Sequence, residues 1–204
     1  MSGNPIERLR KELNLEDRDL VLPSSLGPIT VQSLMSLGGW EYDETVLGFP
    51  GPEIALVRGD PPLEVFQSSP EEMGWGLLFA ARFRSPFAVM NLVVDSFTFN
   101  SSVEFANAVS PTFPKTFSPY VDVYDPFTAF GPIFGVIMEP AIAMPYNRNL
   151  RMTVSLPADA PVAATALYAS SVTRARIQDY KSFTRSVKRI NAEQMTGEQI
   201  ERVI

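Results

Sequence analysis

The 204-residue sequence predicts a mainly β protein: an antiparallel β-sandwich, jelly-roll-like, with short helical N- and C-terminal extensions. Three observations predict it. Asn149 to Leu156 alternates, with Leu150, Met152, Val154 and Leu156 apolar and the residues between them polar, as in a strand with one face on a core and one in water. That clean alternation favours an antiparallel sheet, because parallel strands are usually buried on both faces. The rest of the middle of the chain divides into further short apolar runs at Pro- and Gly-rich turns, and helical periodicity is confined to the ends.

Asn4-Pro5-Ile6-Glu7 reads as a helix start, with Asn4 as cap, Pro5 at the first helical position and Glu7 completing a capping box. Ile6, Leu9 and Leu13 then share a face, and such a helix either lies on its own domain or docks on a neighbour. Thr30 caps a second short helix, Val31 to Leu37, which Gly38-Gly39 ends; Pro23 and Pro28 mark extended linker between the two. Residues 1–39 are therefore expected to form an N-terminal helical arm.

The β-sandwich domain is expected over 40–177. From Trp40 to Glu72 eight acidic residues are opposed only by Arg58. Ile54–Val57 and Leu63–Phe66 fit edge strands between proline turns, and Ser69-Pro70-Glu71-Glu72 opens one helical turn. Leu77–Phe83 and Phe87–Phe99 are the next strands, the second apolar on both faces and so central. Pro111 to Phe134 holds five prolines and seven aromatics, so it forms ordered loops that bury aromatics in the core or against a partner. Ile133–Met138, Ala141–Met144, Asn149–Leu156 and Val162–Ile177 complete the strands. In the C-terminal basic helical tail, 178–204, Tyr180, Phe183, Val187 and Ile190 recur at helical spacing, and Thr196-Gly197-Glu198-Gln199 caps a last short helix.

The composition excludes much chemistry. There is no Cys and no His, so disulfides, thiolate metal sites, Ser-His-Asp and Cys-His catalysis and His-containing zinc sites are all absent. No phosphate-binding glycine loop and no GxSxG occurs. The carboxylates that could do chemistry have structural readings beside them. Asp122 and Asp125 precede Pro126 and suit a turn; Glu139 precedes Pro140 and suits the same; Asp95 lies in an apolar strand as a satisfied polar group. No enzymatic activity, cofactor or metal is expected. With a net charge of −6, no basic-apolar leader and a longest apolar run interrupted by Glu139-Pro140, neither secretion nor a membrane span is expected.

Two features speak of assembly. Arg174 to Arg189 carries six cations against Asp179 alone, matching the acidic stretch in length; the two pair within a chain, between chains or not at all. Arms, aromatic loops and opposed charges on a sandwich without catalytic vocabulary are how subunits of repeating assemblies are built. The expected function is a non-enzymatic structural subunit of a symmetric assembly, a virion component such as a capsid, capsid-decorating or connector protein. Its partners would be copies of itself and other subunits, with no membrane, and with nucleic acid only through the basic C-terminal stretch. The interface candidates are Ile6, Leu9, Leu13, Phe113, Phe117, Tyr120, Phe127, Phe130, Arg174, Arg176, Lys181, Arg185, Lys188 and Arg189. The alternatives are a carbohydrate- or ligand-binding sandwich that uses Trp40, Trp75 or loop aromatics as stacking platforms, and a His-free carboxylate enzyme such as a glycosidase, which needs two carboxylates in a concave site. On the assembly reading, removing Met1 to Leu37 or Tyr180 to Ile204 is expected to leave a folded domain that no longer assembles.

Overall fold

A computed structural model describes residues 21–27, 29–48, 50–102, 118–122, 133–138, 140 and 142–201, the side chains of 101, 102, 118–122 and 194–201 excepted. Among them are eleven strands: β1 (Trp40–Gly48), β2 (Ile54–Val57), β3 (Leu63–Gln67), β4 (Gly74–Phe83), β5 (Val89–Val94), β6 (Phe97–Ser102), β7 (Ser118–Asp122), β8 (Ile133–Met138), β9 (Met144–Tyr146), β10 (Leu150–Ser155) and β11 (Ala164–Ile177). Helix α1 (Val31–Met35) precedes them, and helix α2 (Tyr180–Glu201) follows. The protein is mainly β, with two antiparallel sheets. The first has the order β1-β11-β4-β8-β7, with β2 also on β11 and β9 also on β4; the second has the order β3-β10-β5-β6.

The pairings nest. β5 pairs β6 as a hairpin; β4 pairs β8 and β9 around it; β3 pairs β10 outside that; β1 and β2 pair β11 outermost. The two sheets share one core, to which the first contributes Phe79, Phe83, Val136, Met138, Leu167 and Val172, and the second Val65, Met90, Leu92, Leu150, Met152 and Val154. Along β4, β5, β8 and β10 these side chains sit at alternate positions, so the pleat aims them at the facing sheet; on β11 Leu167 and Val172 are five apart and reach the same face through the register shift between Leu167 and Ala169.

A second apolar cluster lies on the other face of the first sheet, and a single inserted residue creates it. In the β4–β11 ladder Thr173 pairs Leu78, but Arg174 pairs Gly76, so Leu77 bulges. Phe79, Ala81 and Phe83 face the shared core; by strict alternation Trp75 would too. The bulge reverses the parity, and Trp75 turns outward onto α2. There it joins Leu34 and Leu37 from the α1 region, Ala175 of β11, and Tyr180, Phe183 and Val187 of α2. Phe183 meets Trp75 edge to face, with centroids 5.7 Å apart. Asp179 caps the helix, accepting from the backbone N–H groups of Lys181 and Ser182 and from the Ser182 hydroxyl, which hold its carboxyl below the usual range. Gly39 lies at φ 80°, and a Cβ there would collide with the carbonyl of Asp179, so the chain reaches the sheet only through a glycine.

Several expectations change. Trp40–Gly48, read as an acidic segment, is a strand of nine residues. Phe87–Phe99 is not one central strand but the β5–β6 hairpin, which turns at Asp95-Ser96. The strand expected at Ala141–Met144 starts at Met144, and the last two helices are one. The polar face of β10 is not all in water: Thr153 is buried, because β10 runs between two neighbours. The segments outside 40–177 also share the outer cluster, so cutting at Leu37 or Tyr180 removes core side chains. Cuts before Val21 and after Ile190 keep every described member of that cluster.

The hairpin turn has its own support. Asp95 sits at φ 51°, unfavourable for a non-glycine residue. Its carboxylate accepts from the backbone N–H groups of Asn147, Arg148 and Asn149 at 2.9–3.1 Å, and its own N–H donates to the Asn149 carbonyl. Charge-assisted bonds to three backbone donors offset the strained conformation. Asp95→Ala is therefore expected to lose ~2–3 kcal/mol in urea unfolding, with Asp95→Asn losing less because one acceptor oxygen remains. An alanine variant within ~0.5 kcal/mol of the parent would show the turn stands without this carboxylate.

Candidate interaction site

The sequence placed opposed charges at the two ends of the sandwich, and the β1–β11 ladder brings them together. Its register sets Glu41 opposite Arg176 and Asp43 opposite Arg174. Arg174 and Val172 are two apart on β11, so both point toward the second sheet. There Arg174 is buried, its guanidinium carbon 4.1 Å from the centroid of the Phe66 ring on β3. Nη2 donates to Asp43 Oδ2 at 2.6 Å, Nη1 to Thr45 Oγ1 at 3.1 Å and Nε to Glu72 Oε1 at 3.0 Å. Tyr146 donates its hydroxyl to the same Glu72 oxygen at 2.6 Å. Burial, and next the bond to Glu72, push the Tyr146 phenol well above its ordinary value, so it stays a donor at any physiological pH. Arg176 extends the network: its Nη2 lies 3.7 Å from Glu41, and its Nε 3.5 Å from Asp43, an ion-pair contact and not a hydrogen bond. Gln178 donates to Glu41 at the rim.

This arrangement is structural in its chemistry. Among the described residues, Asp43 and Glu72 converge on one buried guanidinium, which pairs with both. Among the described residues, no group of three or more His, Cys, Asp or Glu side chains could hold a metal ion. The network takes Arg174 and Arg176 out of reach as a free cationic patch. The acidic stretch is likewise engaged at Glu53, paired with Arg84, and at Glu64, which Arg151 meets at 3.1 Å. The question left open by the sequence is answered for these residues: the opposed charges pair within the chain.

No family model and no curated protein matches this chain. Its reading rests on the geometry alone.

The remaining candidates fall in three groups. Lys181, Arg185, Lys188 and Arg189 are exposed on α2. Tyr120 belongs to β7, whose backbone pairs with Gly135 of β8. Ile6, Leu9, Leu13, Phe113, Phe117, Phe127 and Phe130 lie outside the described residues, as do Asp125 and Glu139. Neither tryptophan is a stacking platform. Trp75 is fully buried against α2, and Trp40 packs on the same cluster with its indole N–H donating to the Leu34 and Leu37 carbonyls. Asp95 borders a surface depression with Leu22, Ser96 and Asn147–Asn149, but its carboxylate is committed to the backbone there. No helix among the described residues is long and apolar enough to cross a membrane.

Sequence reasoning missed Glu72 and Tyr146 as members of the network. Glu72 was assigned to a helix cap and Tyr146 to no element. The one signal available was that a strand core with Arg at alternate positions, Arg174 and Arg176, must supply those cations with buried partners.

Proposed function

We propose that the chain is a non-enzymatic building block of a symmetric assembly, a virion component of the capsid, capsid-decorating or connector kind, and that its sandwich is a jelly roll. The observation that carries this is the nested pairing. If β1 and β2 are one interrupted strand along β11, and β8 and β9 one along β4, then with β7 as an added edge strand on β8 the rest become four strands over four: β1/β2-β11-β4-β8/β9 facing β3-β10-β5-β6. Leaving β7 aside, that is one long hairpin rolled up, closed at β5–β6, with successive strands of these eight crossing between sheets everywhere except at that hairpin. It is the wrapping of jelly rolls, which serve chiefly as capsid, lectin and cupin domains. The cupin use relies on His ligands this chain lacks, and a lectin use would have to rest on aromatics other than the packed Trp40 and Trp75. The ion pairs inside the sandwich support a rigid body and leave contacts to the ends of the chain and the aromatic loops. Fold alone does not fix function, so the reading stands or falls on assembly.

The test is the mass and shape of the full chain. Light scattering across concentration and salt is expected to give a large oligomer, with electron microscopy of stained particles giving closed rings or shells of one symmetry. A chain starting at Val21 is expected to keep the parent's thermal unfolding and lose the oligomer. A monodisperse monomer at every concentration and salt, or normal assembly by the shortened chain, contradicts the reading.

A further inference from the structure

We propose that the surface depression beside the β5–β6 turn binds an acidic saccharide, a sugar ring that carries a carboxylate. The depression has a volume of about 520 Å³ and is lined by Leu22, Asp95, Ser96 and Asn147–Asn149. That volume falls in the range of small-molecule sites. Its walls are held from behind. Asp95 fixes the main chain of residues 147–149 through its carboxylate and its own N–H. The Asn147 amide is used at both ends by Ser24, whose hydroxyl accepts from Nδ2 at 2.6 Å and whose N–H donates to Oδ1 at 3.4 Å. Asn149 accepts at Oδ1 from Gln67 Nε2 at 2.7 Å, so Nδ2 is the half of that amide left over. A turn strained at Asp95, φ 51°, and fixed in this way presents its neighbours in one geometry, which lowers the ordering cost of binding.

What the walls leave unused is rich in donors. Arg148 is exposed, and its guanidinium meets no carboxylate among the described residues. The Ser96 hydroxyl and Asn149 Nδ2 likewise have no partner among the described residues. The Asp95 carboxylate already accepts from three backbone N–H groups, which offset its charge. One unpaired cation beside two neutral donors suits a ligand with a carboxylate and further oxygen acceptors. Leu22 adds an apolar wall, and Phe97, next in the chain after Ser96, is 68% exposed. A sugar acid meets both demands, with hydroxyls that accept and donate and a C–H face that packs on apolar side chains. A peptide C-terminus also joins a carboxylate to an apolar group, but its N–H groups need acceptors. The side-chain acceptors here, Asp95 and the Oδ1 atoms of Asn147 and Asn149, are already engaged. The site does not depend on whether the chain assembles.

The test is saturation-transfer NMR of the full chain, titrated with glucuronic acid and, separately, with glucose and with acetate. Glucuronic acid is expected to bind at least about tenfold more tightly than either, since it alone offers the carboxylate and the hydroxyls together. Arg148→Gln, checked for an unchanged thermal melt, should weaken glucuronic acid at least about tenfold, and Phe97→Ala about threefold. Lys181→Gln, on α2, is expected to bind like the parent. Absence of binding by the folded parent overturns the proposal. So does glucose or acetate binding as tightly as glucuronic acid, a comparison that needs no variant to fold. Unchanged binding by Arg148→Gln or Phe97→Ala overturns it as well, as does equal weakening in Lys181→Gln.

Discussion

Arg174→Ala is expected to be among the most damaging single changes in the sandwich, with a loss of ~3–5 kcal/mol in denaturant unfolding, the cost typical of removing one partner from a buried ion pair. The loss comes less from the missing attraction than from what stays behind. Glu72 has a side chain only 11% exposed and would be left, among the described residues, with Tyr146 as its donor. Asp43, at 31%, can recover some water, so the cost is concentrated on the Glu72 side. The guanidinium stack on Phe66 disappears too, opening a void between β11 and β3. Arg174→Lys should recover only part of the loss. One ammonium cannot reach Asp43, Thr45 and Glu72 together, as the fork of three guanidinium nitrogens does. The pair Arg174→Met with Glu72→Leu is the informative companion. Removing the guanidinium together with the buried Glu72 carboxylate should cost less than Arg174→Ala alone, since the carboxylate left over, Asp43, is partly exposed and keeps Arg176 at 3.5 Å. If Arg174→Ala unfolds within ~1 kcal/mol of the parent, the network is peripheral to stability, and the desolvation argument fails.

The same residues explain what could and could not be read in the sequence. Ile54–Val57 and Ile133–Met138 match their strands end to end, because apolar runs between turn residues are a local signal. The strand β1 was hidden by its own alternation, which is inverted. Asp43 faces inward and Glu41 lies at the exposed rim of the same face, while Tyr42 and Val46 face out, with Tyr42 57% exposed. Charged residues point into a sandwich only where cations await them, and those cations lie more than 130 positions later in the chain. The turn at Asp95-Ser96 was hidden for a like reason. No glycine, proline or asparagine marks it, and its strained backbone is held by amides of residues 147–149. The bulge at Leu77 is marked in the sequence only by the neighbouring Gly76, yet it decides which side of the sheet receives Trp75. Non-local pairing overrode local pattern in each case.

What the bulge sets up, α2 completes, and Phe183→Ala measures the connection. Phe183 is fully buried, edge-on to Trp75 and 6.1 Å from the ring of Tyr180. Truncating it leaves a ring-sized gap between helix and sheet, expected to cost ~3–5 kcal/mol. The loss should exceed that of a simple core truncation elsewhere in one respect. Without Phe183 the helix keeps few anchors, so the outer face of β4 and β11 becomes accessible, and the variant should bind a hydrophobic dye and aggregate on heating. Ending the chain after Ile190 separates packing from helix length. It retains Tyr180, Phe183 and Val187 with the Asp179 cap, and should unfold within ~1 kcal/mol of the parent, since Asn191, Ala192 and Glu193 are exposed. If instead Phe183→Ala is mild and the shortened chain is severe, the helix is held by its distal half, and the cluster around Trp75 is not what fixes it to the sheet.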